Sequence, residues 1–187
     1  AAALTGTTYT GNVTLSDAHD LAQLKAINNA TSGSITFNDD SVALSGSSAD
    51  VAAALTGTTY TGNVTLSDAH DLAQLKAINN ATSGSITFND DSVALSGSSA
   101  DVTAALTGTT YTGNVTLTDQ ASLANLVTVN TATSGSITLN VTSGALSGTA
   151  SDLTTAFGGT ITAYTGDLAI TDTHNLAQLK AINNATS

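Results

Sequence analysis

Hydrophobic and polar residues alternate strictly in seven short segments, and a glycine stands directly before each of them. The segments are NVTLS, SITFN, NVTLS, SITFN, NVTLT, SITLN and DLAIT, after Gly11, Gly33, Gly62, Gly84, Gly113, Gly135 and Gly166. Such alternation, rich in β-branched residues, predicts strands with one buried face. We expect these strands to stack in parallel and in register. Val13, Ile35 and Val64 would then lie on one inward ladder, together with Phe37 and Phe88.

Between the strands the hydrophobic spacing changes to that of a helix. The stretch DAHDLAQLKAINNAT places Leu21, Leu24 and Ile27 three residues apart. These residues fall on one narrow side of a helix, which predicts a short helix with a single buried face. Asp17 or Ser16 is suited to cap its first turn, since both residue types accept hydrogen bonds from free backbone amides.

The end of this helix and a second helix also have sequence signals. Asn28 or Asn29 tolerates the left-handed conformation in which many helices end. In SSADVAAAL, Ser47 stands three residues before Asp50, which resembles a capping box, and Gly57 follows as a stop signal. The stretch VALSG before this second helix predicts another short strand.

The whole pattern recurs at a fixed interval. The stretch LTGTTYTGNVTLSDAHDLAQLKAINNATSGSITF begins at Leu4, returns unchanged at Leu55 and returns in altered form at Leu106, which gives a period of 51 residues. Residues 1–187 therefore form one array, with repeats at 4–54, 55–105 and 106–156 and a partial repeat at 157–187. Each repeat contains a short and a long turn of chain. The array predicts a repeat solenoid, either a β-solenoid or an α/β-solenoid: a parallel strand ladder with short helices in the returning segments, about two coils per repeat.

Composition limits the class of protein and its partners. With 41% hydrophobic and 9% charged residues, the chain is expected to fold rather than remain disordered. Its 14 acidic residues, all aspartate, outweigh three lysines and give a net charge of −11, so a nucleic-acid partner is not expected. No apolar run approaches the ~20 residues that cross a membrane, so we expect no membrane insertion. Cysteine is absent, which excludes disulfides and thiolate metal sites.

Two aspartate doublets are the only candidates for a cofactor. Asp39 and Asp40, and one repeat later Asp90 and Asp91, supply the hard oxygen ligands that Ca²⁺ prefers. The alternative interpretation is a solvated turn, since aspartate is common in turns. The third repeat has NVTS in place of NDDS and so lacks the doublet. We therefore favour turns without a bound ion.

The histidines invite a catalytic or metal-binding interpretation, but the pattern argues against it. His19, His70 and His174 recur at one position of the repeat, where the third copy has Ala121. No second histidine lies near any of them, so we expect surface residues in the first helical turn rather than metal ligands. No nucleophile elbow is present, and near-identical copies do not suggest one asymmetric active site. The sequence indicates that the chain is not an enzyme.

A row of threonines marks the outward strand face. It consists of Thr14, Thr36, Thr65, Thr87, Thr116 and Thr138. Threonine suits an exposed strand position for general reasons. Regularly spaced hydroxyls also support an alternative hypothesis, a solenoid that binds ice or carbohydrate.

In LAQLKAINNATSGSIT, ALSGSSADVAAALTG and YTGNVTLTD the sequence resembles the tandem repeats of very large exported bacterial surface proteins and adhesins. The resemblance implies an extracellular or cell-surface location and a structural or adhesive scaffold, with any binding domain outside this segment. The first residues, AAALTG, read as the tail of a long-turn helix, and the last, NNATS, stop before a strand glycine. We expect such a segment to adjoin further repeats or to associate end to end into filaments. The sequence identifies no ligand.

Overall fold

In the computed structural model, the described residues are 4, 6, 8–161 and 163–186. The chain divides into two compact units, residues 1–90 and residues 91–187. The described residues of the first unit contain β1 (Val13–Leu15), α1 (Leu21–Ala30), β2 (Ile35–Phe37), β3 (Leu44–Gly46), α2 (Ser48–Leu55), β4 (Val64–Leu66), α3 (Leu72–Ala81) and β5 (Ile86–Phe88). Those of the second contain β6 (Leu95–Gly97), α4 (Ser99–Leu106), β7 (Val115–Leu117), α5 (Leu123–Ala132), β8 (Ile137–Leu139), β9 (Leu146–Gly148), α6 (Ala150–Phe157), β10 (Leu168–Ile170) and α7 (Leu176–Ala185). The helix tail expected at residues 1–6 lies largely outside the described residues.

The strands form small parallel sheets, and helices alternate with them along the chain. In the first unit β1 pairs with β2, and β4 pairs with both β3 and β5. In the second unit β7 pairs with both β6 and β8, and β9 pairs with β10. The result is an α/β repeat-like arrangement with parallel pairing throughout these sheets. The second short strand expected at VALSG is confirmed by β3, β6 and β9.

The predicted register is right within a sheet, but the single ladder is wrong. Val13 pairs with Ile35 as expected, whereas Val64 pairs with Leu44 and Ile86. The reason lies in residues 38–43, the connection between β2 and β3. Parallel pairing of consecutive strands needs a crossover of about a dozen residues or more. A six-residue connection is too short, so β3 starts a new sheet.

The helix starts as the spacing predicted, but a different residue caps it. Asp20 is the N-cap of α1: its carboxylate accepts a hydrogen bond from the amide of Gln23 at 2.7 Å, and the Gln23 side chain accepts one from the amide of Asp20. The expected caps, Asp17 and Ser16, lie before it. The left-handed asparagine exit is also wrong, because α1 continues to Ala30 and Thr31 leaves it in an extended conformation.

The second helix has the predicted ends. The Ser47 side chain accepts a hydrogen bond from the amide of Asp50 at 3.2 Å, and α2 ends at Leu55. Gly57 then adopts φ +76°, a left-handed conformation that side chains other than glycine's rarely take. Both sequence signals, the capping pattern and the glycine stop, are confirmed.

The buried core contains one narrow face of each helix and the inward strand residues. In α1 this face is Leu24, Ile27 and Ala30. The central strand β4 contributes Val64 and Leu66, both fully buried. The two phenylalanines, Phe37 and Phe88, are only half-buried, contrary to the expectation of a continuous inward ladder. Their strands, β2 and β5, each pair with one neighbour, so these side chains lie at the margin of the core.

Candidate functional site

The most regular polar feature of the first unit is the way neighbouring turns hold both ends of α2. The Asp68 carboxylate accepts a hydrogen bond from the amide of Ser48, the first residue of the helix, at 2.7 Å. At the other end, the Asn28 side-chain amide donates to the carbonyl oxygens of Ala53, Ala54 and Thr56 at 2.9–3.0 Å. Aspartate near a helix start also interacts favourably with the helix dipole. The turns on both sides of α2 thus supply polar groups to its ends.

The second unit repeats this arrangement. The Asp172 carboxylate accepts a hydrogen bond from the amide of Ala150 at the start of α6, at 2.8 Å. The Asn130 side chain donates to the carbonyl oxygen of Thr155 near its end, at 2.6 Å. These residues occupy the same repeat positions as Asp68 and Asn28. Asp17 also occupies the Asp68 position, so the residue type that we expected to cap its own helix serves the helix of the preceding turn.

A second set of hydrogen bonds joins adjacent strands just before they begin. The side-chain oxygen of Asn12 accepts from the amide of Ser34 at 3.0 Å. The pairs Asn63–Ser85 and Asn114–Ser136 do the same at 3.0 and 2.9 Å. The asparagine that follows Gly11, Gly62 and Gly113 therefore has a specific role between turns. Sequence analysis missed this role, although the recurrence of Gly-Asn at these positions was a visible signal.

His19 lies in a buried aromatic cluster, not on the surface as expected. Its ring centroid is 5.2 Å from that of Phe37 and 5.8 Å from that of Tyr60. The Tyr60 hydroxyl donates to the carbonyl oxygen of Val42 at 2.5 Å, so it accepts from Nε2 of His19 at 2.9 Å. Nδ1 then carries the lone pair, and it is buried without a hydrogen-bond partner in the described part of the chain. The cluster brings together side chains from three separate segments of the first unit.

The third repeat forms the equivalent hydrogen bond to a tyrosine with different residues. Ala121 stands at the histidine position and is buried. The preceding residue, Gln120, donates from Nε2 to the hydroxyl of Tyr164 at 3.1 Å and accepts from the amide of Gly144 at 3.0 Å. The Tyr164 hydroxyl itself donates to the carbonyl oxygen of Gly144. Glutamine therefore replaces histidine as the hydrogen-bond donor to the next tyrosine, which indicates a structural role for this position.

Burial shifts the pKa values of Tyr60 and His70 in opposite directions. It raises the pKa of Tyr60 to about 12, with smaller contributions from the charges of Asp39 and Asp40. It lowers the pKa of His70, even though Asp90, Asp68 and Asp71 favour the charged form. Tyr60 and His70 are therefore neutral at pH 7. His174 is exposed, as expected for the histidines of all copies.

The lowered pKa of His70 predicts a pH-dependent stability. Between its unfolded pKa, near 6.5, and its lower folded pKa, the unfolded chain binds the proton more readily, so the free energy of unfolding falls as the pH falls. Urea unfolding measured between pH 7.5 and pH 4.5 should show this loss, and it should shrink in His70→Gln. His174→Gln, which changes an exposed histidine, is the matched control and should keep the wild-type slope. Equal slopes in wild type and His70→Gln would contradict the assignment.

The aspartate doublets lie in turns, where their carboxylates accept hydrogen bonds from other residues of the chain. The Asp39 carboxylate accepts hydrogen bonds from the amide and hydroxyl of Ser41, and these hydrogen bonds lower the pKa of Asp39. The Asp40 carboxylate accepts from the Thr61 hydroxyl at 2.9 Å, and its backbone carbonyl accepts from the amides of Thr61 and Gly62. Asp91 repeats the pattern of Asp40. Asp90, the partner of Asp91 in the second doublet, is exposed.

The third repeat shows that the backbone hydrogen bonds of this turn do not depend on the aspartate charges. The carbonyl oxygen of Thr142 accepts hydrogen bonds from the amides of Thr165 and Gly166, as that of Asp40 does from its own partners. The turn therefore forms without either carboxylate. Within the described ranges, no group of three or more His, Cys, Asp or Glu side chains is placed to hold a metal ion.

The outward hydroxyls form short rows rather than one continuous ladder. Thr14 lies beside Thr36, and in the next sheet Ser45, Thr65 and Thr87 lie side by side. The second unit has the equivalent row Ser96, Thr116 and Thr138, whereas β10 carries Ala169 beside Ser147. All of these side chains are exposed except Thr116, which is half-buried. Each row is at most three residues wide, because each sheet is at most three strands wide.

Comparisons with known proteins add no relative: the chain matches no protein-family model, no curated protein and no solved structure. Across the part of the chain that the structure describes, no helix is both long and apolar enough to cross a membrane. Functional inference therefore depends on the contacts within the chain.

Proposed function

We propose that the chain is a structural segment of an extracellular or cell-surface protein of bacterial type, an α/β-solenoid with about two coils per 51-residue repeat. The observation that carries the proposal is the set of hydrogen bonds between turns at fixed repeat positions. Asp68 and Asn28 hold α2, Asp172 and Asn130 hold α6, and asparagines bridge adjacent strands in both units. Contacts of this kind extend an array, because each turn supplies groups that its neighbour lacks.

A scaffold role also fits what the conspicuous polar side chains do. The Tyr60 hydroxyl, the Asp40 carboxylate and the Asp68 carboxylate are all engaged in hydrogen bonds of the chain itself. Their arrangement supports assembly of turns rather than turnover of a substrate, and we propose no enzymatic role. Adhesion, in this proposal, is the property of the longer structure that such segments build.

Scaffold function predicts association along the array. The net charge of −11 opposes side-by-side aggregation of chains, so growth is expected end to end. Light scattering and electron microscopy of the isolated chain should show elongated particles whose length rises with protein concentration. Raising the salt from about 0.01 M to about 1 M should promote association, because it screens the repulsion between chains.

The control for this experiment lies on α7. Leu176 is 81% exposed and Ala177 is exposed beside it. Leu176→Gln should reduce association, whereas Ala177→Gln should not. Particles that stay monomeric at every protein and salt concentration would refute end-to-end association.

One observation favours a second candidate function. The exposed hydroxyl rows, such as Ser45, Thr65 and Thr87, have the strand spacing of about 4.8 Å and are suited to order water or to bind sugar hydroxyls. This supports the alternative of an ice- or carbohydrate-binding solenoid. Thermal hysteresis and binding to immobilised glycans, each compared between wild type and Thr65→Val, test it directly.

A further inference from the structure

The sequence LAQLKAINNA occurs unchanged in α1 and α7, but the two helices have different surroundings. In α1, Leu24 is fully buried, whereas its counterpart in α7, Leu179, is 43% exposed. Leu21 of α1 is half-buried, whereas its counterpart Leu176 is 81% exposed. The helix sequences are identical, so the difference in leucine exposure comes from their surroundings: a segment that covers α1 has no counterpart over α7 among the described residues.

The covering element of α1 is the segment that runs through β2, β3 and α2. α2 packs along α1. Lys25 of α1 forms an ion pair with Asp50 of α2, and Asn28 donates to the carbonyl oxygens at the end of α2. Gly46 of β3 allows the close approach of Leu21, because a Cβ atom there would overlap the leucine side chain.

The second unit contains the same interface with an altered sequence. Leu126 of α5 is buried, and Asn130 donates to the carbonyl oxygen of Thr155 at the end of α6. Gly148 of β9 lies against Leu123, as Gly46 lies against Leu21. Each unit therefore contains one such interface, in which this helix face is buried under a strand that ends in Leu-Ser-Gly and the helix that follows it.

The strand edge next to α7 carries matching chemistry. β10 pairs with β9, and on its other side a groove of about 320 Å³ is lined by Tyr164, Leu168, Ile170, Leu179 and Ile182, among others. In the first unit the equivalent edge of β1 is covered by β2, with Val13 opposite Ile35 and Leu15 opposite Phe37. The amide of Val13, the counterpart of Leu168, donates to the carbonyl oxygen of Ser34 in that pairing.

We propose that this surface binds a polypeptide segment with the sequence of residues 33–56, supplied by a neighbouring repeat. The surface, called the α7 face, consists of Leu168, Ile170, Leu176, Leu179, Lys180 and Asn183. The bound segment adds a parallel strand to β10 with Ile35 opposite Leu168 and Phe37 opposite Ile170. Its helix packs on α7, with Asp50 near Lys180 and its last carbonyl groups near Asn183. Two observations identify this segment as the partner: its Asp50 is complementary in charge to Lys180, and the equivalent interfaces α1–α2 and α5–α6 exist within the two units.

The α7 face is specific in ways that a general apolar patch is not. Strand addition uses backbone hydrogen bonds, and alternate side chains set the register. Glycine at position 46 of the segment leaves room for Leu176, as Gly46 does for Leu21 within the first unit. Lys180, an exposed cation in a chain with three lysines, selects an acidic residue at position 50. These requirements exclude an unrelated amphipathic helix.

The test is binding of a synthetic, fluorescently labelled peptide of residues 33–56 to the whole chain, measured by fluorescence anisotropy. We expect saturable binding that weakens at least tenfold when the peptide carries Gly46→Val or the chain carries Leu176→Asp. Asp50→Lys in the peptide should weaken binding by about two- to fivefold, as a partly exposed ion pair contributes little. The combination of that peptide with Lys180→Asp in the chain should restore the affinity. A scrambled peptide of the same composition is the control.

Hydrogen exchange gives a second, independent measurement. Peptide binding should slow exchange of the Leu168 amide, whereas amides of α5 should not change. If the wild-type peptide does not bind, or binds no better than the scrambled or Gly46→Val peptide, the proposal is wrong. Unchanged binding by Leu176→Asp, with an unchanged circular dichroism spectrum, would also overturn it.

This inference rests on the proposed scaffold function, but the two can fail separately. If the peptide binds with the expected variant pattern while the chain remains monomeric, the α7 face stands and end-to-end association of whole chains fails. If whole chains assemble equally well with and without saturating peptide, the scaffold stands and the α7 face is refuted as its contact.

Discussion

Replacing Leu66 with alanine is expected to lower the free energy of unfolding of the first unit by about 2–5 kcal/mol. Leu66 is fully buried, and it lies on β4, the one strand of its sheet with a neighbour on both sides. Its removal leaves a cavity that the backbone cannot easily close, because hydrogen bonds to β3 and β5 fix β4 on both edges. Urea unfolding followed by circular dichroism measures the loss.

The adjacent residue provides the matched control. Thr65 lies on the same strand but points outward and is exposed. Thr65→Ala should change the free energy of unfolding by no more than about 0.5 kcal/mol, as is usual for surface substitutions. Similar losses in Leu66→Ala and Thr65→Ala would mean that the inward and outward faces of the strand have been interchanged.

Periodicity predicted the positions of the strands that follow glycine and of the helix LAQLKAINNA. The alternating segments after glycine are strands in the structure, and the leucine spacing of LAQLKAINNA gives a helix with one buried face. These patterns are local, since side-chain direction follows directly from backbone geometry. The parallel register between Val13 and Ile35 was also predictable, because the two strands have the same hydrophobic pattern and a long connection.

The division into small sheets was missed because it depends on connection length rather than on pattern. β2 and β3 look alike in their alternation, but only residues 38–43 lie between them. That distance along the chain decides that β3 pairs with β4 instead. The half-buried state of Phe88 follows from the same cause, because β5 is an edge strand.

The polar contacts were the least predictable part of the candidate site. Asp17 and Asp20 are both good capping residues, and the local signal that favours Asp20, a glutamine three residues later, was missed. The hydrogen bond that Asp68, the counterpart of Asp17, accepts from the start of α2 has no local signal. The burial of His19 depends on Phe37 and Tyr60, which lie 18 and 41 residues further along the chain. Such contacts arise only when turns are placed side by side.

The glycines before the strands predict the second large effect. At Gly84 a Cβ atom would overlap the carbonyl oxygen of Gly62, which is backbone and cannot rotate away. The same Gly62 carbonyl accepts a hydrogen bond from the hydroxyl of Thr82 at 2.9 Å, and the Gly84 amide donates to that hydroxyl at 3.0 Å. Any shift that accommodates a methyl group therefore also breaks the link between the two turns.

Gly84→Ala should consequently destabilise the first unit by about 3 kcal/mol or more, at the upper end of the cost of overpacking. Gly57→Ala is the control: its Cβ would enter open space, and only the left-handed φ of +76° opposes it, at a cost of about 1–2 kcal/mol. Urea unfolding of both variants under identical conditions compares a steric cause with a conformational one. If Gly84→Ala proves no more damaging than Gly57→Ala, close backbone approach is not the reason that glycine stands before the strands.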